Sequence, residues 1–449
     1  MNKNRHVVII GNGISGVTCA RTLRKLDSDV RITLVSGESK YFFSRTALMY
    51  VYMGHMEFRH TQPYEDHFWD KNRIELKQAW VESVDFQAKK LVFESKETMP
   101  YDILVIATGS KPNKFGWPGQ DLKGVQGLYS KQDLETMEEA TQEGVTRAVI
   151  VGGGLIGIEM AEMLAYRQIP VTFLVREKGF WDNVLPREEA KLVGRHIREH
   201  HIDLRLETEL KEILPDSQGR ARAVVTSTGE EISCQFVGLT AGVSPQVDFL
   251  RNSELEINRG VKVDAFFQTN IPDVYSIGDC AEFDKAPAPD RKNIEQVWYT
   301  GRMHGETLAH NLCQTPVPYR PGVWFNSAKF LDIEYQTYGV VPPRAEDAQD
   351  FYWEHASGKI CFRMRMDSEG KTLGVNVFGM RLSHGFFDQA IREKWTGQKV
   401  IAQLAEANFD PEFFAPHHIS IQQLFLGEFG GDFRPAKKSF MQKLFGAKV

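Results

Sequence analysis

The sequence predicts an α/β protein with two βαβ domains, followed by a third domain of α+β type. Two glycine-rich turns carry most of this prediction, and each directly follows an apolar, strand-like run, 7–10 for the first and 148–151 for the second. The glycines of the two turns have the same spacing: Gly11, Gly13 and Gly16 in the first turn, and Gly152, Gly154 and Gly157 in the second. In such a turn one glycine allows the tight bend, one lets a pyrophosphate approach the backbone, and one lets the helix pack on the strand. The sequence therefore predicts two Rossmann-like domains, each binding one dinucleotide.

Length, charge and cysteine content favour a cytoplasmic protein of several domains. The 449 residues are enough for two or three domains. The net charge of −5 gives no overall positive electrostatic potential that would attract nucleic acid. No apolar stretch approaches the roughly 18 residues of a membrane span, and residues 1–5 lead at once into the first strand without room for a signal peptide. The five cysteines are far apart and odd in number, as expected in a reducing compartment.

Polar groups follow several predicted strands at the edge where ligands bind. Glu38 lies about 20 residues beyond the last glycine of the first turn, where a carboxylate can accept the ribose hydroxyls of an adenosine; a solvated loop acid is the alternative. The apolar run 101–107 ends in Thr108-Gly109, and a later strand ends in Gly278-Asp279. Fully apolar strands are typical of a parallel sheet, and its carboxyl edge is the predicted ligand site.

The predicted domains follow this order of strands. The first nucleotide domain takes residues 1–115 and 246–320, and the second, residues 116–245, is inserted in it. Beyond about residue 319 the predicted strands, at 324–330, 351–353, 360–366 and 373–378, look antiparallel. A helix follows near 386–395, so residues 321–449 form the predicted α+β domain.

The order of the motifs resembles the FAD-dependent pyridine nucleotide oxidoreductase superfamily over roughly residues 5–310. Within it, the segment with Glu38, Arg45 and Leu48 is similar to the ferredoxin- and rubredoxin-reductase branch, which also includes apoptosis-inducing-factor-like proteins. The disulfide reductases have cysteines in this region, whereas residues 38–48 contain none. Disulfide chemistry is therefore not expected.

The resemblance implies FAD and NAD(P)H as cofactors and gives individual residues their roles. The implied FAD contacts are Gly11, Gly13 and Gly16 at the pyrophosphate, Glu38 at the adenosine ribose, Arg45 close to the flavin and phosphates, Thr108 and Gly109 near the pyrophosphate, and Gly278 and Asp279 at the ribityl chain. NAD(P)H would be held by Gly152, Gly154 and Gly157. Arg45 and Glu159 are the predicted catalytic residues.

Two of these assignments leave alternatives open. Glu159, two residues into the second helix, resembles the acid near the nicotinamide amide; a helix-dipole partner in the first turn is the alternative. Glu295 and Trp298 resemble a Glu-x-Trp pattern at the flavin of some ferredoxin reductases, with a spacing one residue longer. Trp298 is thus either a residue at the flavin face or ordinary core.

The choice of coenzyme depends on the end of the second strand of the second domain. The carboxylate typical of NAD-binding members is replaced by Val175, and Arg176 and Glu177 follow. An arginine at the position of Arg176 resembles the pattern of NADPH-using members, because a guanidinium can donate two hydrogen bonds to the 2′-phosphate. Glu177 could instead accept the 2′-hydroxyl of NADH, so the sequence favours NADPH and leaves NADH open.

Several histidines and a cysteine receive no chemical role. His196, His200 and His201 contain an i,i+4 pair without a third ligand in the sequence around them, which favours a solvated helix face, so no metal is predicted. Cys280 is expected to pack in the core, and His304 and His384 have no identifiable partners.

The expected function is hydride transfer from NAD(P)H to FAD and electron transfer onward to a ferredoxin- or rubredoxin-like redox protein or an iron–sulfur subunit. One alternative is a peripheral NADH:quinone reductase, because the basic, amphipathic tail with Lys437, Lys438 and Lys443 could contact a membrane, although a docked terminal helix is favoured. The other is a flavin-bearing, redox-sensing subunit with slow turnover. A homodimer and a subunit of a larger complex both remain open.

Overall fold

The computed structural model describes residues 5–142, 144–344, 348–409, 412 and 415–431. They fall into two compact units, one within Met1–Leu174 and Thr208–Pro321 (unit 1) and one within Val175–Glu207 and Gly322–Val449 (unit 2). Lys437, Lys438 and Lys443 lie outside the described residues. None of the helices in the described ranges combines the length and hydropathy needed to cross a membrane. The predicted domain boundaries stay a prediction.

Ten α-helices occur among the described residues. In chain order they are α1 (Ile14–Leu26), α2 (Leu48–Tyr52), α3 (His67–Lys71), α4 (Lys131–Thr141), α5 (Leu155–Tyr166), α6 (Arg187–Glu199), α7 (Trp298–Cys313), α8 (His384–Arg392), α9 (Gly397–Ala402) and α10 (His418–Phe429).

The strands of the described residues number twenty-five. They are β1 (His6–Ile10), β2 (Arg31–Ser36), β3 (Ile74–Gln78), β4 (Val81–Asp85), β5 (Lys90–Phe93), β6 (Thr98–Pro100), β7 (Ile103–Ile106), β8 (Ser110–Pro112), β9 (Val125–Gln126), β10 (Ala148–Val151), β11 (Val171–Leu174), β12 (Asp203–Arg205), β13 (Leu210–Pro215), β14 (Ala221–Thr226), β15 (Glu231–Ser233), β16 (Phe236–Leu239), β17 (Val243–Pro245), β18 (Val261–Val263), β19 (Val274–Ser276), β20 (Ala281–Phe283), β21 (Phe325–Phe330), β22 (Ile333–Gly339), β23 (Gln349–Glu354), β24 (Cys361–Met366) and β25 (Thr372–Phe378).

The first sheet of unit 1 is parallel and has the strand order β19-β7-β1-β2-β3. Residues 7–10 of its central strand β1 form a continuous apolar run because both faces of the sheet are covered, and Ile9 pairs in register with Leu34 and Val105. All three side chains are buried. Helices α1 and α7 pack against each other beside this sheet. The carboxyl ends of β1 and β7 therefore lie side by side, each followed by one of the predicted ligand-binding turns.

The second parallel sheet contains four strands of unit 1 in the order β11-β10-β16-β9. Its central strand β10 is again fully buried, and α5 follows directly after the second glycine turn. Two three-stranded antiparallel sheets, β4-β5-β6 and β13-β14-β15, complete the larger sheets of unit 1. The predicted α/β class with two parallel nucleotide-type sheets is confirmed.

Unit 2 contains an antiparallel sheet with the strand order β21-β22-β25-β24-β23. Helices α8, α9 and α10 and the aromatic side chains Phe351, Phe362 and Phe387 form its core. The α+β class predicted for the C-terminal region is confirmed, whereas β22 was not among the predicted strands.

Candidate functional site

The first glycine turn has a different spatial constraint at each glycine. Gly11 has φ of +114°, a conformation that L side chains rarely adopt, and a Cβ there would overlap the carbonyl oxygen of Ala107. A Cβ at Gly16 would overlap the carbonyl oxygen of Gly11. At Gly13, in contrast, no heavy atom lies within 4 Å of the Cβ position. Gly13 is the N-cap of α1, which has neither a side-chain cap nor an acid in its first turn. Its free N–H groups suit an anion such as a pyrophosphate.

The second turn repeats this geometry at the same three positions. Gly152 has φ of +113°, and a Cβ there would lie 2.8 Å from the carbonyl oxygen of Thr240. A Cβ at Gly157 would lie 2.5 Å from the carbonyl oxygen of Gly152, whereas Gly154 faces open space and is the N-cap of α5 without a side-chain cap. The second helix thus presents a second anion-binding end.

The carboxylate of Asp279 lies where β19 ends, and two side chains hold one of its oxygens. Ser110 Oγ donates to Oδ2 over 3.0 Å, and the Tyr129 hydroxyl donates to the same atom over 3.2 Å. Burial raises the pKa of Asp279, although these hydrogen bonds and the charge of Arg45 oppose the shift. Since both donors bind Oδ2, the carboxylate is oriented with Oδ1 away from them.

His304 holds the turn that carries Asp279, and its partners were not identifiable from the sequence. The N–H of Gly278 donates to His304 Nδ1 over 3.1 Å, and His304 Nε2 lies 3.3 Å from Glu295 Oε2. Because Nδ1 accepts, the ring is neutral and Nε2–H donates to Glu295. Burial lowers the pKa of His304, against the opposing effect of Glu295, which agrees with a neutral ring.

Glu295 is the centre of this buried network. Arg291 Nη1 donates to Glu295 Oε1 over 2.8 Å, and the Tyr319 hydroxyl donates to Oε2 over 3.0 Å. The side chains of Arg291 and Glu295 are each 2% exposed. Although burial raises the pKa of Glu295, its hydrogen bond to His304 and the charge of Arg291 lower it overall. Glu295 therefore supports the Asp279 turn through its hydrogen bond with His304.

Arg45 and Glu38 are paired with each other. Arg45 Nη1 lies 2.8 Å from Glu38 Oε1 and Nη2 lies 2.7 Å from Oε2. Arg45 also donates to the carbonyl oxygen of Tyr129, and its guanidinium lies 4.4 Å from the centre of the Tyr129 ring. Burial lowers the pKa of Arg45, but the hydrogen bond and charge of Glu38 outweigh this effect and raise it. The alternative that Glu38 is a solvated loop acid is wrong, because it also accepts from the backbone N–H of Lys131.

Thr108 and Gly109 follow β7 beside the same network. Thr108 Oγ1 donates to the carbonyl oxygen of Gln246 over 2.7 Å, and the carbonyl oxygen of Gly109 accepts from the N–H of Gln246 over 2.9 Å. A Cβ at Gly109 would lie 2.8 Å from the hydroxyl oxygen of Tyr129. These residues thus adjoin the side chain that orients Asp279.

The structure corrects three expectations in unit 1. Helix α5 begins at Leu155, so Glu159 is its fifth residue and lies beyond the first turn, which removes the helix-dipole alternative. Trp298 begins α7 and is 38% exposed, so the alternative of an ordinary core residue is wrong. His304 is the third correction, because it has the partners described above.

Arg176 and Glu177 belong to unit 2, and Arg176 Nε lies 2.8 Å from Glu177 Oε1. The side chain of Arg176 is 71% exposed and that of Glu177 is 24% exposed. Opposite charges at adjacent positions leave the choice between NADH and NADPH a prediction.

The expectation of a solvated histidine face on α6 is wrong for His196, whereas His200 and His201 are exposed. His196 is buried, and the side chains of His196, His200 and Asp332 bring three possible metal ligands together, all within 4.8 Å of one another. Asp332 lies in the turn between β21 and β22, far along the chain from the histidines, which is why local spacing did not reveal a third ligand.

All five cysteines are free thiols, and Cys280 is fully buried. Burial raises the pKa of the Cys280 thiol, and its Sγ lies 3.5 Å from Ser276 Oγ. A buried thiol with a raised pKa is a poor nucleophile, which agrees with the expected packing role.

Sequence reasoning missed Tyr129, Ser110, Gln296 and the His304–Glu295 pair. Gln296 Nε2 donates to Ser110 Oγ over 2.8 Å, and Ser110 Oγ donates to Asp279, so Gln296 and Ser110 form a chain of hydrogen bonds that ends at Asp279. The only local signal was the capping box of α4, where Ser130 and Asp133 cap the helix directly after Tyr129.

Comparisons with known proteins agree with this geometry. The family described as pyridine nucleotide-disulphide oxidoreductase matches residues 5–305. The assimilatory nitrate reductase electron transfer subunit of Bacillus subtilis (strain 168) is 24% identical over 386 residues, which are 84% of this chain and 48% of that subunit. The chain thus spans about half the length of that relative.

Two further comparisons cover larger shares of the matched protein. The biphenyl dioxygenase system ferredoxin–NAD(+) reductase component of Paraburkholderia xenovorans (strain LB400) is 29% identical over 315 residues, 70% of this chain and 76% of that component. The structure of a covalent putidaredoxin reductase–putidaredoxin complex matches with a TM-score of 0.77 at 19% identity, covering 95% of this chain and 99% of that chain. This structural likeness supports the fold with two nucleotide-binding domains. The chain therefore belongs to the pyridine nucleotide-disulphide oxidoreductase family, which supports FAD and NAD(P)H as its cofactors.

Proposed function

We propose that the chain takes a hydride from NAD(P)H onto bound FAD and passes the electrons to a small redox protein of ferredoxin or rubredoxin type, or to an iron–sulfur partner. One observation carries the proposal: the two glycine turns have the same geometry, with an open middle glycine before an uncapped helix in each. Two such sites in one unit suit two dinucleotides. The names of the relatives, a ferredoxin–NAD(+) reductase component and an electron transfer subunit, support an acceptor of this class.

The first turn and the Asp279 network are assigned to FAD. Gly13 and the first N–H groups of α1 would receive the pyrophosphate, and Oδ1 of Asp279 would accept a ribityl hydroxyl while Ser110 and Tyr129 hold Oδ2. A carboxylate oriented by two donors loses little rotational freedom when it binds a hydroxyl. Arg45, fixed by Glu38, would place its positive charge beside the flavin and phosphates.

The second turn is assigned to NAD(P)H. Gly154 and the first N–H groups of α5 would bind its pyrophosphate, and Glu159 on the same helix would lie near the nicotinamide amide. When bound, FAD accepts a hydride from the nicotinamide and gives up electrons one or two at a time. The chain's own contribution is to hold both dinucleotides in a reactive geometry, and no side-chain nucleophile is required.

The purified holoenzyme tests the proposal directly. We expect bound FAD, rapid bleaching of the flavin absorbance by NADH or NADPH in stopped flow, and reoxidation by an added ferredoxin or rubredoxin. Slow bleaching by both coenzymes would instead favour a redox-sensing subunit. Fast bleaching with reoxidation by a soluble quinone alone would contradict the protein acceptor.

Coenzyme choice is tested by Arg176 and Glu177 separately. If Arg176 binds a 2′-phosphate, Arg176→Ala should raise KM for NADPH and leave KM for NADH unchanged. If Glu177 accepts the 2′-hydroxyl, Glu177→Gln should raise KM for NADH instead. Equal effects on both coenzymes would contradict a selecting role for either residue.

A further inference from the structure

Helix α6 and the β21–β22 turn bring two histidines and one carboxylate together in unit 2. Both His196 Nε2 and His200 Nε2 face the same atom, Oδ1 of Asp332; the second of these distances is 3.0 Å and the first pair is in direct contact. The i,i+4 spacing places the histidines on one side of the helix, and their ring centres are 4.5 Å apart. The three possible ligand atoms thus lie within 4.8 Å of one another.

We propose that His196, His200 and Asp332 form a binding site for one divalent transition-metal ion of the zinc class. Imidazole nitrogen and carboxylate oxygen are ligands that zinc accepts, at about 2.0–2.2 Å. In a tetrahedral site with such bonds the ligand atoms are about 3.3 Å apart. The distance between His200 and Asp332 already fits, and the His196 contact would open by a small movement of the exposed Asp332 side chain, which is 59% exposed.

The surroundings of His196 favour a metal on Nε2. Its side chain is 1% exposed, and its Nδ1 atom is buried without a hydrogen-bond partner among the described residues. The carboxylate of Glu199 lies 3.5 Å from that Nδ1 atom. A metal on Nε2 fixes the proton on Nδ1, which then faces Glu199 as a donor. Metal-bound histidines commonly have a carboxylate in this outer position.

The ammonium group of Lys359 lies beside the other oxygen of Asp332 and not beside the proposed ligand oxygen Oδ1. Lys359 Nζ lies 3.6 Å from Asp332 Oδ2, the oxygen that does not face the histidines. Lys359 can therefore orient the carboxylate without occupying Oδ1. Three protein ligands leave a fourth coordination position open to water on the exposed side.

The test uses the full-length holoenzyme, stripped of metal with a chelator and then titrated with Zn²⁺ in competition with a coloured indicator. We expect one Zn²⁺ per chain, and we expect His200→Ala and Asp332→Asn each to weaken binding by at least about tenfold. His201→Asn is the matched control, because His201 is the exposed neighbour of His200 and its φ of +61° suits asparagine. Its affinity should equal that of the unmodified chain.

Two further measurements separate metal ligation from mere structural effects. Co²⁺ should give visible absorption bands in the unmodified chain and the His201→Asn variant, and no such bands in His200→Ala. Zn²⁺ should raise the Tm of the unmodified chain and not that of His200→Ala, since a ligand that binds only the folded state stabilises it. Retained flavin absorbance shows that the variants are folded. Equal Zn²⁺ affinity of the unmodified chain and His200→Ala would overturn the proposal and leave a simple histidine–aspartate ion pair.

Discussion

The guanidinium of Arg45 and the carboxylate of Glu38 form a two-point pair, with both terminal nitrogens bound to both carboxylate oxygens. The side chains of Arg45 and Glu38 are only 28% and 16% exposed. Each charge therefore depends on the other to offset the free-energy cost of its removal from water. The pair also determines where the Arg45 charge lies, directly over the Tyr129 ring. The predicted roles of the two residues towards FAD are therefore coupled.

Arg45→Lys should destabilise the protein by about 1.5–3 kcal/mol, because an ammonium cannot make the two-point contact with Glu38. It should also lower the FAD content of the purified protein. The matched control is Arg59→Lys, whose ion pair with Glu57 is 72% and 67% exposed and should change stability by less than about 0.5 kcal/mol. Denaturant unfolding and the flavin-to-protein absorbance ratio measure the two effects. Equal losses in both variants would contradict the special role of the Arg45–Glu38 pair.

Gly13→Ala should weaken FAD binding, whereas Gly11→Ala should lower the stability of the fold. At Gly13 the φ of −72° and the open space allow an alanine in the folded protein, so its Tm without FAD should change little while FAD binding weakens. At Gly11 the positive φ and the overlap with Ala107 should destabilise the fold itself. Gly427→Ala in α10, where the Cβ position is also open, should leave FAD binding unchanged. Full FAD occupancy in Gly13→Ala would disprove the assignment of the first turn to FAD.

His304→Ala should destabilise the turn that carries Asp279, because His304 accepts a hydrogen bond from the N–H of Gly278. The variant leaves the buried N–H of Gly278 without its acceptor and Glu295 without one donor, a loss of about 1–3 kcal/mol. The dissociation constant of FAD for the apoprotein should rise, whereas His310→Ala, exposed on the same helix, should leave it unchanged.

The pH dependence of stability gives a second measurement of the same histidine. Because burial lowers the pKa of His304 in the folded state, the unfolded chain binds the proton more readily. His304 should therefore contribute stability that is present above its ordinary pKa and lost as the pH falls below that value. A difference in stability between the unmodified chain and His304→Ala that does not change from pH 8 to pH 5 would contradict a neutral buried ring.

The glycine turns could be predicted because all the information is local. Strand, turn and helix occupy neighbouring residues. The first and last glycines of each turn are required by atoms of the same βαβ unit or by atoms at the end of the adjacent strand. The side chains around Asp279 could not be predicted in this way. Tyr129 and Asp279 are 150 residues apart, and Asp332 is 136 residues from His196. Contacts of this kind depend on strand order and helix packing, which a sequence pattern does not specify.

The missed strand β22 has a specific physical reason. Its hairpin with β21 turns at Leu331-Asp332, without the glycine or asparagine that usually marks a tight turn. Leu331 adopts φ of +57°, which is uncommon for a bulky residue, and its side chain is buried. Burial of leucine in the core thus overrides the local preference at the turn.

The last prediction concerns Glu189, a fully buried carboxyl group of α6. Arg363 Nε donates to its Oε1 over 2.9 Å and Asn376 Nδ2 donates to its Oε2 over 2.8 Å. Glu188 and Asp350 also bind Arg363, so carboxylates outnumber that guanidinium. Burial therefore outweighs the attraction of Arg363 and raises the pKa of Glu189 to about 7.

A raised pKa means that folded Glu189 keeps a proton that the unfolded chain has already lost. Its stabilising contribution is fully present below the ordinary pKa of a glutamate, about 4.3, and is lost as the pH rises through about 7. Glu189→Gln removes this titration while keeping nearly the same volume. The Tm of the unmodified chain minus that of Glu189→Gln should therefore fall between pH 5 and pH 8. Glu209→Gln, which changes an exposed carboxyl group in the same way, is the control with which the slope is compared. A Tm difference that stays constant or rises with pH would mean that Arg363 keeps Glu189 ionised.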